Sequence, residues 1–208
     1  MSLFVKLCGI QTESDVEAAV AAGADAVGFV LTPSPRQIPL ARAAQLKRLL
    51  PDHVLSVAVF HQPSPGLLRR TEEVVGPDLF QAEAVTLVGL APNKMLPVVV
   101  DGEDMARRVD EAAGANPRGW ALVDSSARGG TGRPPSWARL AQLTTTAKMI
   151  LAGGLNEENV AEVVSSVKPF GVDVSSGIES SPGVKDPERM RSFVAGARSA
   201  LPLAGGHP

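Results

Sequence analysis

Cysteine is nearly absent from this 208-residue chain: Cys8 is the only one. One thiol excludes an internal disulfide framework and points to a reducing compartment, so the cytoplasm is the expected location. Histidine is scarce too, limited to His53, His61 and His207, which leaves little from which to assemble a histidine-rich metal site. No uninterrupted apolar run is long enough to span a bilayer, and the N-terminus breaks into Lys6, Gly9 and Gln11 before a signal-peptide core develops. The formal charge is only −2, with no block of like charges, so nucleic acid and anionic membranes are not expected partners. Linkers, low-complexity stretches and short-period repeats are missing as well. With 44% hydrophobic residues, the chain has enough apolar content for one well-buried core over residues 1–200. The tail from Leu201 to Pro208 is expected to be frayed. A monomer is expected.

What is present is an alternation of strand-like and helix-like segments that runs to the end. Apolar runs near 3–8, 26–31, 54–60, 79–81, 95–100, 119–124, 148–151 and 171–175 are strand candidates. Helical periodicity lies between them, near 14–22, 40–50, 65–75, 103–113, 136–143, 157–166 and 186–199. In the first of these Val16, Ala19 and Val20 recur at helical spacing, Ser14 and Glu17 can form a capping box, and Gly23 closes the end. After Gln81 only a short helix around Ala84 to Gly89 is predicted, so the fourth unit is shortened. Eight such units predict a single-domain (βα)8 TIM barrel with function at the carboxyl ends of its strands. A doubly wound open sheet is the alternative, because element order does not show closure.

Period-two alternation places Phe4, Lys6 and Cys8 on one face of the first strand, and Val5 and Leu7 on the other. A free cysteine is ordinarily a small buried hydrophobe. At a strand end in the barrel mouth it is also a candidate reactive group. A lysine inside a barrel needs a partner, and Asp173 in the last strand is adjacent if the barrel closes. A Lys6–Asp173 pair is therefore expected as a support beneath the mouth, with acidification of Cys8 by Lys6 as the functional alternative.

Two glycine-rich strand ends point to phosphate: Leu151-Ala152-Gly153-Gly154-Leu155-Asn156 and Asp173-Val174-Ser175-Ser176-Gly177-Ile178-Glu179. They follow strands seven and eight, where barrels often hold phosphate on backbone amides. Gly153, Gly154, Ser175, Ser176 and Gly177 are the candidate ligand-binding residues. The segment from Asp124 to Gly132 is also glycine-rich but lacks a P-loop ending. It reads as a mobile cover, or as a plain surface loop.

These residues carry a resemblance to the phosphoribosylanthranilate isomerase family of tryptophan biosynthesis. The matching pieces are Val5 to Ile10, Gly23 to Phe29, Ser34 to Ile38, Asp124 with Gly129 to Gly132 and Trp137, Leu151 to Leu155 with Asn159 and Val160, and Gly171 to Glu179 with Pro182, Gly183, Lys185 and Asp186. The resemblance implies an enzyme that needs no cofactor and no metal. Its reaction is an Amadori rearrangement of N-(5-phosphoribosyl)anthranilate, a small phosphorylated substrate. It further implies Cys8 as general base, Asp124 as general acid, Arg36 at the anthranilate carboxylate and Gln81 at the substrate. An ordinary thiol is thiolate to only about 3% at neutral pH, so the base needs help from its surroundings.

One departure stands out. Members usually carry Gln-Leu-His-Gly after strand four, whereas this chain reads Gln81-Ala82-Glu83-Ala84. Glu83 would repel a substrate carboxylate unless it turns away or pairs with Arg36, and it could act on Asp124. Competing readings are a bifunctional isomerase of the histidine and tryptophan pathways, expected to place aspartate where Cys8 stands, a metal-dependent pentose-phosphate epimerase, and a non-catalytic phosphate-binding barrel.

Overall fold

The computed structural model describes residues 3–87, 89–100, 102–124 and 137–200. Both the expected cover after Asp124 and the expected tail from Leu201 lie outside the described residues. Eight parallel strands form a closed barrel: β1 (Phe4–Cys8), β2 (Ala26–Val30), β3 (Leu55–Val59), β4 (Leu79–Glu83), β5 (Met95–Val100), β6 (Trp120–Asp124), β7 (Lys148–Ala152) and β8 (Gly171–Val174). Closure is made by β1 pairing with β8, with Lys6 opposite Asp173. The open-sheet alternative is thereby excluded.

Helices α1 (Glu13–Ala22), α2 (Leu40–Lys47), α3 (Pro65–Val74), α4 (Met105–Gly114), α5 (Trp137–Ala141), α6 (Val160–Val167) and α7 (Pro187–Ser199) alternate with the strands. After β4 the chain makes only short 3-10 turns at Ala84–Thr86 and Pro92–Lys94, so the fourth unit is shortened as expected. A two-stranded antiparallel hairpin, β9 (Glu179–Ser181) and β10 (Val184–Lys185), follows β8. None of the helices among the described residues is long and apolar enough to cross a membrane.

Helix α1 corrects one detail of the sequence reading. The capping box is Thr12 with Asp15, not Ser14 with Glu17: the Thr12 hydroxyl accepts from the Asp15 amide, and Asp15 accepts from the Thr12 amide. The two patterns have the same spacing and lie two residues apart, and the helix starts at the earlier one. Gly23 closes α1 in the left-handed region as expected, at φ 86°.

Outward-facing strand residues and inward-facing helix residues form the larger core, including Val5, Leu7, Val27, Phe29, Phe80 and Phe193. The barrel interior is filled separately by Ala26, Val57, Leu79, Leu96, Trp120, Leu122, Ile150 and Ala152. Phe4, Trp120 and Phe170 close its lower end, with ring centroids 5.0 to 5.8 Å apart. With one end plugged by aromatic rings, polar inward positions gather at the other, where the strands end.

Candidate active site

Strand parity delivers Lys6 and Cys8 to the interior in successive layers. Lys6 is fully buried, and its ammonium donates to Asp173 Oδ1 at 2.8 Å. Burial alone would lower the lysine pKa, but the charges of Asp173 and Cys8 outweigh it and raise the value, so Lys6 is held protonated. The expected support beneath the mouth is present.

Cys8 lies one layer above, 6% exposed. Burial pushes its thiol up, and the attraction of Lys6 and Lys185 only partly offsets that rise. Lys6 therefore moderates Cys8 without making it acidic. Space for the sulfur comes from Gly28, opposite Cys8 on β2. A Cβ there would lie 2.8 Å from the Cys8 sulfur and 3.1 Å from Lys6 Nζ.

Cys8, Arg36, Gln81, Asp124, Gly153, Gly154, Ser175 and Ser176 all line one cavity of about 330 Å³, together with Asp173 and Leu155. Residues from β1, β4, β6, β7 and β8 and from the segment after β2 thus converge on one space. Gly177 lies next door, in a cleft of about 300 Å³ that shares Gly154 and Ser176 with the main cavity and includes Arg189. Gly153 and Gly154 have φ of 89° and 70°, a consecutive left-handed pair that side chains rarely adopt, leaving the backbone open to close approach. Ser175 ties β8 to β1, its hydroxyl donating to the Cys8 carbonyl at 3.3 Å.

Arg36 follows β2 in a turn where its amide donates to Ser34 Oγ at 3.1 Å. Its side chain runs to the hairpin. Nε and Nη2 donate to Glu179 Oε1 and Oε2 at 2.6 and 2.7 Å. Lys185, the register partner of Glu179 across the hairpin, donates to Glu179 Oε1 and to the Ser175 carbonyl, both at 2.8 Å. Burial would raise Glu179, but hydrogen bonds from Arg36 and Lys185 reverse the effect and hold it down at about 2. Glu179, not Glu83, is therefore the carboxylate that pairs with Arg36. Glu83 instead faces His61, with 3.9 Å between Oε1 and Nδ1. Both border an adjoining cavity of about 250 Å³ that also includes Gln81 and Asp124.

Sequence reasoning assigned no role to Gly28, Glu179 or Lys185. All three fall within the stretches that carry the family resemblance, and for Glu179 and Lys185 the only further signal was that two opposite charges flank the Pro182-Gly183 turn.

A closed (βα)8 barrel with a carboxylate, a thiol, an arginine and glycine-rich strand ends gathered at its carboxyl mouth has the layout of the barrel enzymes, which carry their sites there and often bind phosphate after strands seven and eight. The model of the N-(5'-phosphoribosyl)anthranilate isomerase family matches residues 5–196. The chain belongs to that family. An N-(5'-phosphoribosyl)anthranilate isomerase of Rhodopseudomonas palustris is 38% identical over 220 residues, covering 98% of this chain and 99% of the relative. The crystal structure of TrpF from Jonesia denitrificans superposes with a TM-score of 0.81 at 29% identity, covering 96% of this chain and 98% of that one. Another solved isomerase, in complex with reduced 1-(o-carboxyphenylamino)-1-deoxyribulose 5-phosphate, gives 0.76 at 30% identity over 95% of this chain and 99% of its own.

Proposed function

We propose that the chain is an N-(5'-phosphoribosyl)anthranilate isomerase of tryptophan biosynthesis in which Cys8 is the general base and Asp124 the general acid. The observation that carries the assignment is that both line one cavity with Arg36 and the glycine-rich ends of β7 and β8. Family membership and the product analogue bound to a relative support the substrate.

Asp124, at the end of β6, protonates the ribose ring oxygen, and the ring opens to an iminium. Cys8, as thiolate, takes the proton from C2′, and the electron pair moves to the iminium nitrogen. The resulting enol gains a proton at C1′ and loses its C2′ hydroxyl proton, giving the 2-ketone of 1-(2-carboxyphenylamino)-1-deoxyribulose 5-phosphate. One acid and one base carry the sequence. Amides at Gly153, Gly154, Ser175, Ser176 and Gly177 hold the phosphate, and Arg36 receives the anthranilate carboxylate. Gln81 is 7% exposed, and its Oε1 is buried without a hydrogen-bond partner among the described residues. A donor on the substrate satisfies it.

A monomer is the assembly proposed, since the exposed large apolar side chains among the described residues, Leu49, Val85 and Val184, lie on separate elements. A dimer mass in light scattering would overturn it.

The function is tested by a fluorescence assay on freshly generated phosphoribosylanthranilate. Cys8→Ala and Asp124→Asn are each expected to lose about 10²- to 10⁴-fold in kcat. Undiminished turnover in both removes the acid and base assignments. Absence of turnover in the parent, with phosphate-ligand binding retained, identifies a non-catalytic barrel.

A further inference from the structure

Arg36 is the cation proposed to meet the substrate carboxylate, yet the structure already pairs it with a carboxylate of its own. A guanidinium has five N–H donors. The Nε and Nη2 edge is committed to Glu179, which leaves the Nη1 and Nη2 edge of a residue that lines the cavity as a second fork of the right geometry for a carboxylate. Charge is the difficulty. An Arg36–Glu179 pair alone is neutral, and a neutral pair attracts an anion weakly.

We propose that Lys185 is the positioning residue that resolves this. By neutralising Glu179 it leaves the Arg36–Glu179–Lys185 cluster with one net positive charge, so that Glu179 fixes the guanidinium without cancelling its attraction for the substrate carboxylate. This rests on the reading of Arg36 given above and extends it to two further residues.

Three observations carry the inference. The Lys185 side chain is 0% exposed and that of Glu179 only 4%, whereas that of Arg36 is 21% exposed. Arg36 is thus the most exposed member of the cluster, and of the three it alone lines the cavity. Both Glu179 oxygens are engaged, Oε1 by Arg36 and Lys185 and Oε2 by Arg36, so the carboxylate cannot rotate toward the ligand without losing a charged partner. The ammonium is itself oriented by the Ser175 carbonyl, at the end of the strand that begins the proposed phosphate site. A Cβ on Gly9 would lie 2.8 Å from Arg36 Cδ, 3.2 Å from Lys185 Nζ and 3.2 Å from Ser175 Oγ, which shows how closely the cluster and the end of β1 are packed.

The test separates charge from structure. KM for phosphoribosylanthranilate and inhibition by 2-aminobenzoate are measured for Arg36→Met, Lys185→Met, Glu179→Gln and the double variant Glu179→Gln/Lys185→Met. Lys185→Met leaves the cluster neutral, and both constants are expected to rise about tenfold. The double variant has the net charge of the parent, and its KM is expected to fall below that of Lys185→Met, to within about threefold of the parent. A merely structural lysine predicts the opposite, a double variant at least as impaired as Lys185→Met. That result, or an unchanged KM in Lys185→Met while Arg36→Met raises it, overturns the proposal. An unchanged KM in Arg36→Met instead overturns the reading of Arg36, whatever Lys185 does. Should Lys185→Met fail to fold, Lys185→Gln makes the same charge change while keeping a donor for Glu179.

Discussion

Lys6 Nζ donates to Asp173 Oδ1 at 2.8 Å across the β1/β8 closure, with the lysine fully buried and Cys8 in the next layer above. Such a pair is costly to break from one side, because the remaining charge is left without compensation in the barrel interior. Asp173→Ala is expected to lower unfolding stability by about 3–5 kcal/mol. Replacing both residues, as Lys6→Met/Asp173→Leu, is expected to recover most of that loss in urea denaturation. A double variant no more stable than Asp173→Ala would mean that the pair does more than neutralise itself.

Gly28 has a narrower role, and its substitution separates catalysis from stability. Its φ is not in the left-handed region, so the cost of a side chain there is contact, chiefly with the Cys8 sulfur at 2.8 Å. In Gly28→Ala the thiol is pushed from its place. We expect kcat to fall about 10²-fold, while overpacking costs only about 1–3 kcal/mol of stability. Full kcat in a stably folded Gly28→Ala would show that the position of the sulfur has slack.

The barrel was legible because each strand is a short apolar run between turn residues, and because β1 carries its chemistry in a period-two pattern that a single sequence displays. The Lys6–Asp173 pair followed from the same parity once closure was assumed. Element ends were less legible: Thr12/Asp15 and Ser14/Glu17 offer the same capping spacing, and nothing in the linear pattern ranks one above the other. The partner of Arg36 was not legible at all. Glu179 and Arg36 are far apart in sequence and meet because the β9/β10 hairpin folds back over the barrel mouth, whereas Glu83 was the candidate that linear motif comparison brought forward. A side-chain pair set by tertiary return of a hairpin leaves no periodic trace.

The pH dependence of Cys8 follows from burial. A base must be deprotonated to work, so kcat/KM rises with pH until the thiol has titrated. Burial pushes that thiol up despite Lys6 and Lys185. The rise in kcat/KM is therefore expected to continue above about 8.5, the ordinary thiol value. Iodoacetamide alkylation of the free enzyme is expected to follow the same midpoint. A midpoint below about 7 would mean that the two ammonium groups outweigh desolvation.

Glu179 makes the opposite prediction at acid pH. Its carboxyl is held at about 2 in the folded chain against an ordinary 4.5, so the folded state binds the proton less readily than the unfolded state. The stability it contributes is complete above the ordinary carboxylate range and is lost as pH falls through about 2. Part of that contribution is screened, since Arg36 reaches solvent, which brings the expected cost of Glu179→Gln at pH 7 to roughly 2 kcal/mol. Urea denaturation of parent and variant across pH reads this directly. The difference between them is expected to hold from pH 7 down to about 5 and then to close toward pH 2, because protonating Glu179 in the parent removes the same charge that the glutamine removes in the variant. A gap that stays constant to pH 2 would assign the loss to packing of the hairpin, and would separate the anchoring of Arg36 from any electrostatic contribution to the fold.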